Sequence, residues 1–134
     1  MTALNGKKIL LVEDDTFICD LYKTVLLKSG YNVIVVGDGE AALKIVEDNQ
    51  FDLILLDIML PKVTGLEVLK EYKKEGSSVA NVPIYLLTNL GEENIIKEAY
   101  RLGASGYLLK AKYLPKQIVS EVDSFFGIKS STSE

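Results

Sequence analysis

The sequence contains no histidine. That absence excludes a Ser-His-Asp or Cys-His nucleophile, an imidazole general base and a His-ligated zinc. It also excludes a phosphohistidine on this chain. There is one cysteine, Cys19, so no internal disulfide and no Cys-rich metal site can form, which suits a reducing compartment. No basic-then-apolar leader opens the chain, and no apolar run approaches the roughly 18 residues that span a bilayer. A cytoplasmic protein that does not engage a membrane is expected. Basic charge is also in deficit: 15 Lys+Arg stand against 19 Asp+Glu, a formal net charge of −4. Nucleic-acid binding is therefore not expected as the main activity. At 134 residues, 48% hydrophobic and 25% charged, the chain has the makings of one domain with one good core.

Short apolar runs alternate with longer amphipathic ones. Ile9-Leu10-Leu11-Val12 stops at Glu13-Asp14-Asp15. Ile18, Leu21, Tyr22, Val25 and Leu26 recur at helical spacing, and Gly30 caps that helix. Val33–Val36 is a β-branched run, hence a strand, and Asp38-Gly39 turns into a helix over Ala41–Val46. Phe51–Leu56 predicts a third strand ending on Asp57. Thr64 and Glu67 have capping-box spacing ahead of Leu66, Val68, Leu69 and Tyr72. Pro83–Leu87 leads to Thr88, and a helix through Ile95, Ile96, Ala99 and Leu102 ends before Gly103. Tyr107-Leu108-Leu109 leads to Lys110. Pro115 opens a last helix with Ile118, Val122, Phe125 and Phe126 on one face. Strands that are continuously apolar are buried on both faces, so the expectation is a doubly wound α/β sandwich around a parallel sheet. Residues 1–127 form the domain, residues 128–134 are a Ser/Thr-rich tail, and no effector domain is expected.

In open α/β sheets ligands bind outside the carboxyl ends of the strands. Those ends carry Glu13-Asp14-Asp15, Asp57, Thr88 and Lys110, while the second strand ends on Gly37, as suits an edge. Converging carboxylates repel, and a divalent cation such as Mg²⁺ relieves them with hard oxygen ligands. Lys110 adds a compact positive charge and Thr88 a hydroxyl. These are the parts needed to hold a phosphoryl group in transfer, and Asp57 is the best-placed acceptor.

This constellation resembles the receiver domain of two-component response regulators. The resemblance runs from about Lys7 to Phe126, on Leu11–Asp15, Leu55–Pro61, Gly65-Leu66, Leu87-Thr88 and Gly103–Lys110. It implies a flavodoxin-like (βα)5 fold with strand order 2-1-3-4-5. It implies that Asp57 is the phosphoacceptor, with Mg²⁺ held by Asp14, Asp57 and the backbone carbonyl of Met59, and Glu13 behind that inner set. Asp15 is read as a helix cap. Thr88 matches the switch hydroxyl, Tyr107 the switch aromatic, and Lys110 the lysine that pairs with a phosphoryl oxygen. The implied partners are a sensor histidine kinase or histidine phosphotransfer protein. A second copy or a downstream target would use the face of the fourth helix, fifth strand and fifth helix. The resemblance implies a signalling domain that acts only on its own phosphoryl group, not an enzyme with a metabolite substrate.

Two positions depart from the family pattern. Asn89 stands where a small residue is usual, and Ala111 where a proline is usual. They support an alternative, a degenerate receiver that binds partners without phosphorylation. A haloacid-dehalogenase-like phosphatase would need a second Asp at position 59, which is Met, and a flavin module would need a neutral first loop, which here is acidic. Met59 and Leu90 are both apolar and cannot orient an attacking water, so slow self-dephosphorylation is expected. In isolation the bland assignments are a solvated Lys110, a plain core Tyr107, a small core hydrophobe for Cys19, and a solvated helix end for Lys73-Lys74-Glu75.

Overall fold

Strands and helices alternate from the first residues described: β1 (Lys8–Val12), α1 (Thr16–Lys28), β2 (Asn32–Val36), α2 (Gly39–Asp48), β3 (Leu53–Asp57), α3 (Gly65–Tyr72), β4 (Ile84–Thr88), α4 (Glu93–Arg101), β5 (Gly106–Leu109) and α5 (Pro115–Phe125). The structure is a computed structural model that describes residues 6–89, 93–110 and 115–128. Every strand pairing is parallel, as the apolar runs predict, and the order is β2-β1-β3-β4-β5, as the resemblance implies. β3 lies at the centre, buried at each position, whereas β2 at the edge is only half-buried along most of its length.

Alternate strand residues point to opposite faces, and each face meets its own helical layer. Leu10, Val12, Ile54, Leu56, Ile84 and Leu86 pack with Ala42 and Val46 of α2, Val68 and Leu69 of α3, and Ala99 of α4. Ile9, Leu11, Leu53, Leu55, Leu87 and Leu108 pack with Tyr22 and Leu26 of α1 and with Ile118, Val119 and Val122 of α5. Burying one such aliphatic side chain stabilises the fold by about 1.5–3 kcal/mol, so the double-sided core drives the sandwich. A buried hydrogen bond from the Tyr31 hydroxyl to the Asp123 carboxylate ties the end of α5 to the α1–β2 turn.

Helix starts follow from local chemistry. Asp15 caps α1 by accepting from the backbone N–H of Phe17 at 2.9 Å and of Ile18 at 3.2 Å. Asp38 caps α2 through Ala41 N–H at 2.8 Å. Thr64 caps α3 by accepting from Glu67 N–H at 3.2 Å, while its hydroxyl donates to the Glu67 carboxylate. Gly30, with φ +95°, takes the left-handed conformation that ends α1.

Three expectations need correction. β3 begins at Leu53, because Asp52 instead closes a loop in which its carboxylate accepts from Lys8 N–H at 2.8 Å. Phe126 lies just past the end of α5 rather than on its face. Lys73 is not a solvated helix end: its ammonium donates to the carbonyls of Val82 at 2.7 Å and Ala80 at 3.1 Å. Burial lowers its pKa. Its neighbour Lys74 does sit in solvent, ion-paired with Glu71 at 2.6 Å. The Ser/Thr-rich tail from Lys129 lies outside the described residues.

The β3–α3 loop carries one backbone cost. Lys62 is left-handed, with φ 70°, a region that strains residues with a Cβ by roughly 1–2 kcal/mol. Its exposed contacts to Asp38 at 3.9 Å and Glu40 at 4.0 Å return little. Lys62→Asn is therefore expected to stabilise the protein by about 0.5 kcal/mol, since Asn tolerates that conformation. Chemical denaturation measures this; an unchanged or lower midpoint would count against the strain.

Candidate phosphoryl-transfer site

Strand register assembles the site. Val12 pairs with Leu56, so the next residues, Glu13 and Asp57, leave β1 and β3 side by side. Asp57 pairs with Leu87, and Thr88 follows; Thr88 pairs with Leu109, and Lys110 follows. Backbone bonds extend these ladders past the strand ends: Glu13 N–H to Val36 at 3.0 Å, Ile58 N–H to Leu87 at 3.2 Å, and Lys110 N–H to Thr88 at 2.7 Å. The polar side chains thus stand on a fixed frame at the point where the chain order reverses between β1 and β3.

Glu13 and Asp57 are only 1% and 3% exposed. The Lys110 ammonium, on a side chain 8% exposed, donates to Glu13 Oε1 at 2.7 Å and to Asp57 Oδ2 at 3.3 Å. Glu13 Oε2 accepts from Asp15 N–H at 3.1 Å, and Asp57 Oδ1 from Met59 N–H at 3.1 Å. Asp14 is exposed, yet one of its carboxylate oxygens lies within 4.8 Å of oxygens of both Glu13 and Asp57. Burial raises the Glu13 pKa, and the nearby Asp57 carboxyl adds to the rise against the pull of Lys110. Burial alone would lower the Lys110 pKa; hydrogen bonding to Glu13 and the charge of Asp57 outweigh it and raise it.

These groups line a cleft of about 400 Å³, together with Asp15, Ile58, Met59, Thr88, Asn89 and Ile95. The structure therefore brings together Glu13, Asp14, Asp57, Thr88 and Lys110, and sets Met59 at the mouth, largely exposed. It does not bring Tyr107 in. That ring is 38% exposed and meets Tyr100 of α4 edge to face. Neither bland assignment survives for these two: Lys110 is not solvated and Tyr107 is not core. Cys19 is a buried thiol donating to the Glu13 carbonyl at 3.1 Å, with its pKa pushed up by burial to about 11, so it is inert. Ile95, the apolar wall of the cleft, carries no sequence signal beyond helical periodicity. Leu90 and Ala111 lie outside the described residues.

The donor set suits a hard divalent cation. Three carboxyl groups face one ammonium, a formal excess of acidic over basic groups that a cation would offset. The ligands are all oxygen, with no imidazole in the chain and the one thiol already engaged. Glu13 has both oxygens engaged by Lys110 and Asp15, and Asp57 has both engaged by Lys110 and Met59, so the exposed Asp14 is the most available donor of the three, and Asp57 would share an oxygen with the ion.

Comparison with known proteins bears on the family and the fold. Residues 9–123 match the family model of the response regulator receiver domain. The alkaline phosphatase synthesis transcriptional regulatory protein PhoP of Bacillus subtilis is 40% identical over 117 residues, covering 87% of this chain and 47% of that protein. The chain spans about half the length of such relatives. Chemotaxis protein CheY4 of Vibrio cholerae superposes with a TM-score of 0.81 at 28% identity, over 88% of this chain and 97% of that one. The receiver domain of sensor histidine kinase PA1611 from Pseudomonas aeruginosa, solved with a magnesium ion coordinated in its active-site cleft, gives 0.79 at 27% identity, over 90% and 98%. No helix among the described residues is long and apolar enough to cross a membrane.

Proposed function

The chain belongs to the response regulator receiver family of two-component systems, and from that premise we propose that it accepts a phosphoryl group from a phosphohistidine onto Asp57. The observation that carries this is the Asp57 carboxylate at the end of the central strand, bound by Lys110 and flanked by Glu13 and Asp14. An Asp57 carboxylate oxygen attacks phosphorus, and the phosphorus–nitrogen bond of the donor breaks. The electron pair of that bond leaves on the donor's imidazole. Mg²⁺, held by Asp14, Asp57 and the Met59 carbonyl, would supply charge neutralisation to the phosphoryl oxygens. Lys110 takes one of those oxygens, and Thr88, on the cleft wall, takes another through its hydroxyl. Tyr107 stands outward before modification and follows Thr88 inward afterwards, which reshapes the face of α4, β5 and α5 for a downstream protein or a second copy. The partner that supplies the phosphoryl group is a sensor histidine kinase or a histidine phosphotransfer protein, since this chain has no histidine of its own.

Incubation with acetyl phosphate and Mg²⁺ is expected to add the mass of one phosphoryl group, and Asp57→Asn to abolish the gain. No gain, or a gain that survives Asp57→Asn, removes Asp57 as acceptor and favours the phosphorylation-independent binding module. The phosphorylated form is expected to decay slowly, because the Met59 side chain at the cleft mouth cannot orient water. Met59→Asn adds one hydrogen-bonding group there, worth about two- to tenfold in the decay rate. Decay that slows sharply in this variant would contradict the assignment.

A further inference from the structure

Tyr107 pairs in register with Leu86, and Leu86 belongs to the core on the α4 side of the sheet. Tyr107 therefore stands on that side, two register pairs before that of Thr88 with Leu109. Its ring nonetheless stays out of that core. Its ring centroid lies 6.5 Å from that of Tyr100, with the planes at 80°. Tyr100 is itself 48% exposed and follows Ala99, which is fully buried and seats α4 on the sheet. The other ring pairs among the described residues all gather around Phe125 and Phe126. So, among the described residues, the outward Tyr107 rests on one aromatic neighbour, carried by the helix beside it.

A half-exposed ring forgoes apolar burial, and something must favour that state over the inward one. An edge-to-face contact does so only while both rings are present. We infer that Tyr100 is a positioning residue that holds Tyr107 outward, so that α4 sets the resting balance of the switch. This rests on Tyr107 being the switch aromatic of the proposed function. Losing the Tyr100 ring is expected to move the inward-to-outward ratio by about two- to tenfold.

Hydroxyl-radical footprinting of Tyr107, read by peptide mass and without phosphodonor, tests this in Tyr100→Ala and Tyr100→Phe. Oxidation of Tyr107 is expected to fall in Tyr100→Ala and to match the parent in Tyr100→Phe. A ring that merely covered Tyr107 would give the opposite sign, so a rise, or no change, overturns the inference. Thermal unfolding shows whether each variant is folded, and Tyr100→Leu replaces Tyr100→Ala if the latter is not. Repeating the footprint in Asp57→Asn separates it from phosphorylation: the Tyr100 effect is expected to persist there, whatever acetyl phosphate does to Asp57. Where Asp57 does accept phosphoryl, Tyr100→Ala is expected to phosphorylate faster by up to the same factor. An unchanged rate would overturn the link between Tyr100 and the switch.

Discussion

Lys110→Met is expected to destabilise the folded protein by about 3 kcal/mol without divalent ions, the lower end for a broken buried pair because the cleft admits water. The reason is local. One ammonium serves both Glu13 and Asp57, at 2.7 and 3.3 Å, and both carboxylates are almost fully buried. Methionine fills the space but leaves two facing carboxyl groups. The same change is expected to slow phosphoryl uptake by about 10²–10³-fold, the scale for losing one charge-stabilising donor. The pH dependence has a definite sign. Burial first, and then Asp57, already raise the Glu13 pKa, and Lys110 opposes them. Without Lys110 it rises further above its unfolded value, so the folded variant binds a proton that the unfolded chain releases. Stability then falls as pH rises through that window, and the deficit shrinks on acidification towards about pH 5. Denaturant midpoints of both proteins at about pH 5 and pH 8 measure this. Mg²⁺ is expected to return part of the loss, as a ligand that binds only the folded state does. An unchanged midpoint, or one that worsens in acid, would mean that Lys110 does not hold the carboxylates together.

The fold and the acidic site were legible because each signal sits in one residue type at one place. Continuous apolar runs such as Leu53–Leu56 can be satisfied only by burial on both faces, and the charges that stop them mark the strand ends. Other features depend on what lies opposite. Lys73 reads as one of a charged run, yet its partners are the backbone carbonyls of Ala80 and Val82, which any sequence supplies. The placement of Tyr107 turns on a rotamer choice and on the ring of Tyr100, an energy difference too small for periodicity to reveal. Phe51 looks like strand, but the Asp52 carboxylate captures Lys8 N–H and delays the strand by two residues. Gly65 is the clearest case. Its sequence context marks a helix start and a segment of the family resemblance, but not what lies against it.

Gly65→Ala is expected to cost about 3 kcal/mol, the upper end for overpacking, because the atoms in the way are backbone. A Cβ at this position would lie 2.2 Å from the Asp57 carbonyl oxygen and 2.6 Å from Ile58 Cα. Neither can swing aside as a side chain would. Gly65 N–H also donates to the Ile58 carbonyl at 2.9 Å, so the first turn of α3 is bonded to the segment it would have to push away. What moves is the end of β3, which aims Asp57 and the Met59 N–H bound to it. A displacement near 1 Å at the acceptor costs about 10²-fold in rate, so phosphoryl uptake is expected to fall even where the variant remains folded. Gly37→Ala is the matched comparison at the same end of the sheet. Its nearest foreign atom to a new Cβ is the Glu13 carbonyl oxygen at 4.0 Å, and its backbone is not left-handed. That change is expected to be neutral, or to stabilise by about 0.4–1 kcal/mol through the unfolded chain. Equal effects of the two substitutions on the denaturation midpoint would show that Gly65 is needed for chain flexibility and not for the close approach of α3 to the phosphoacceptor strand.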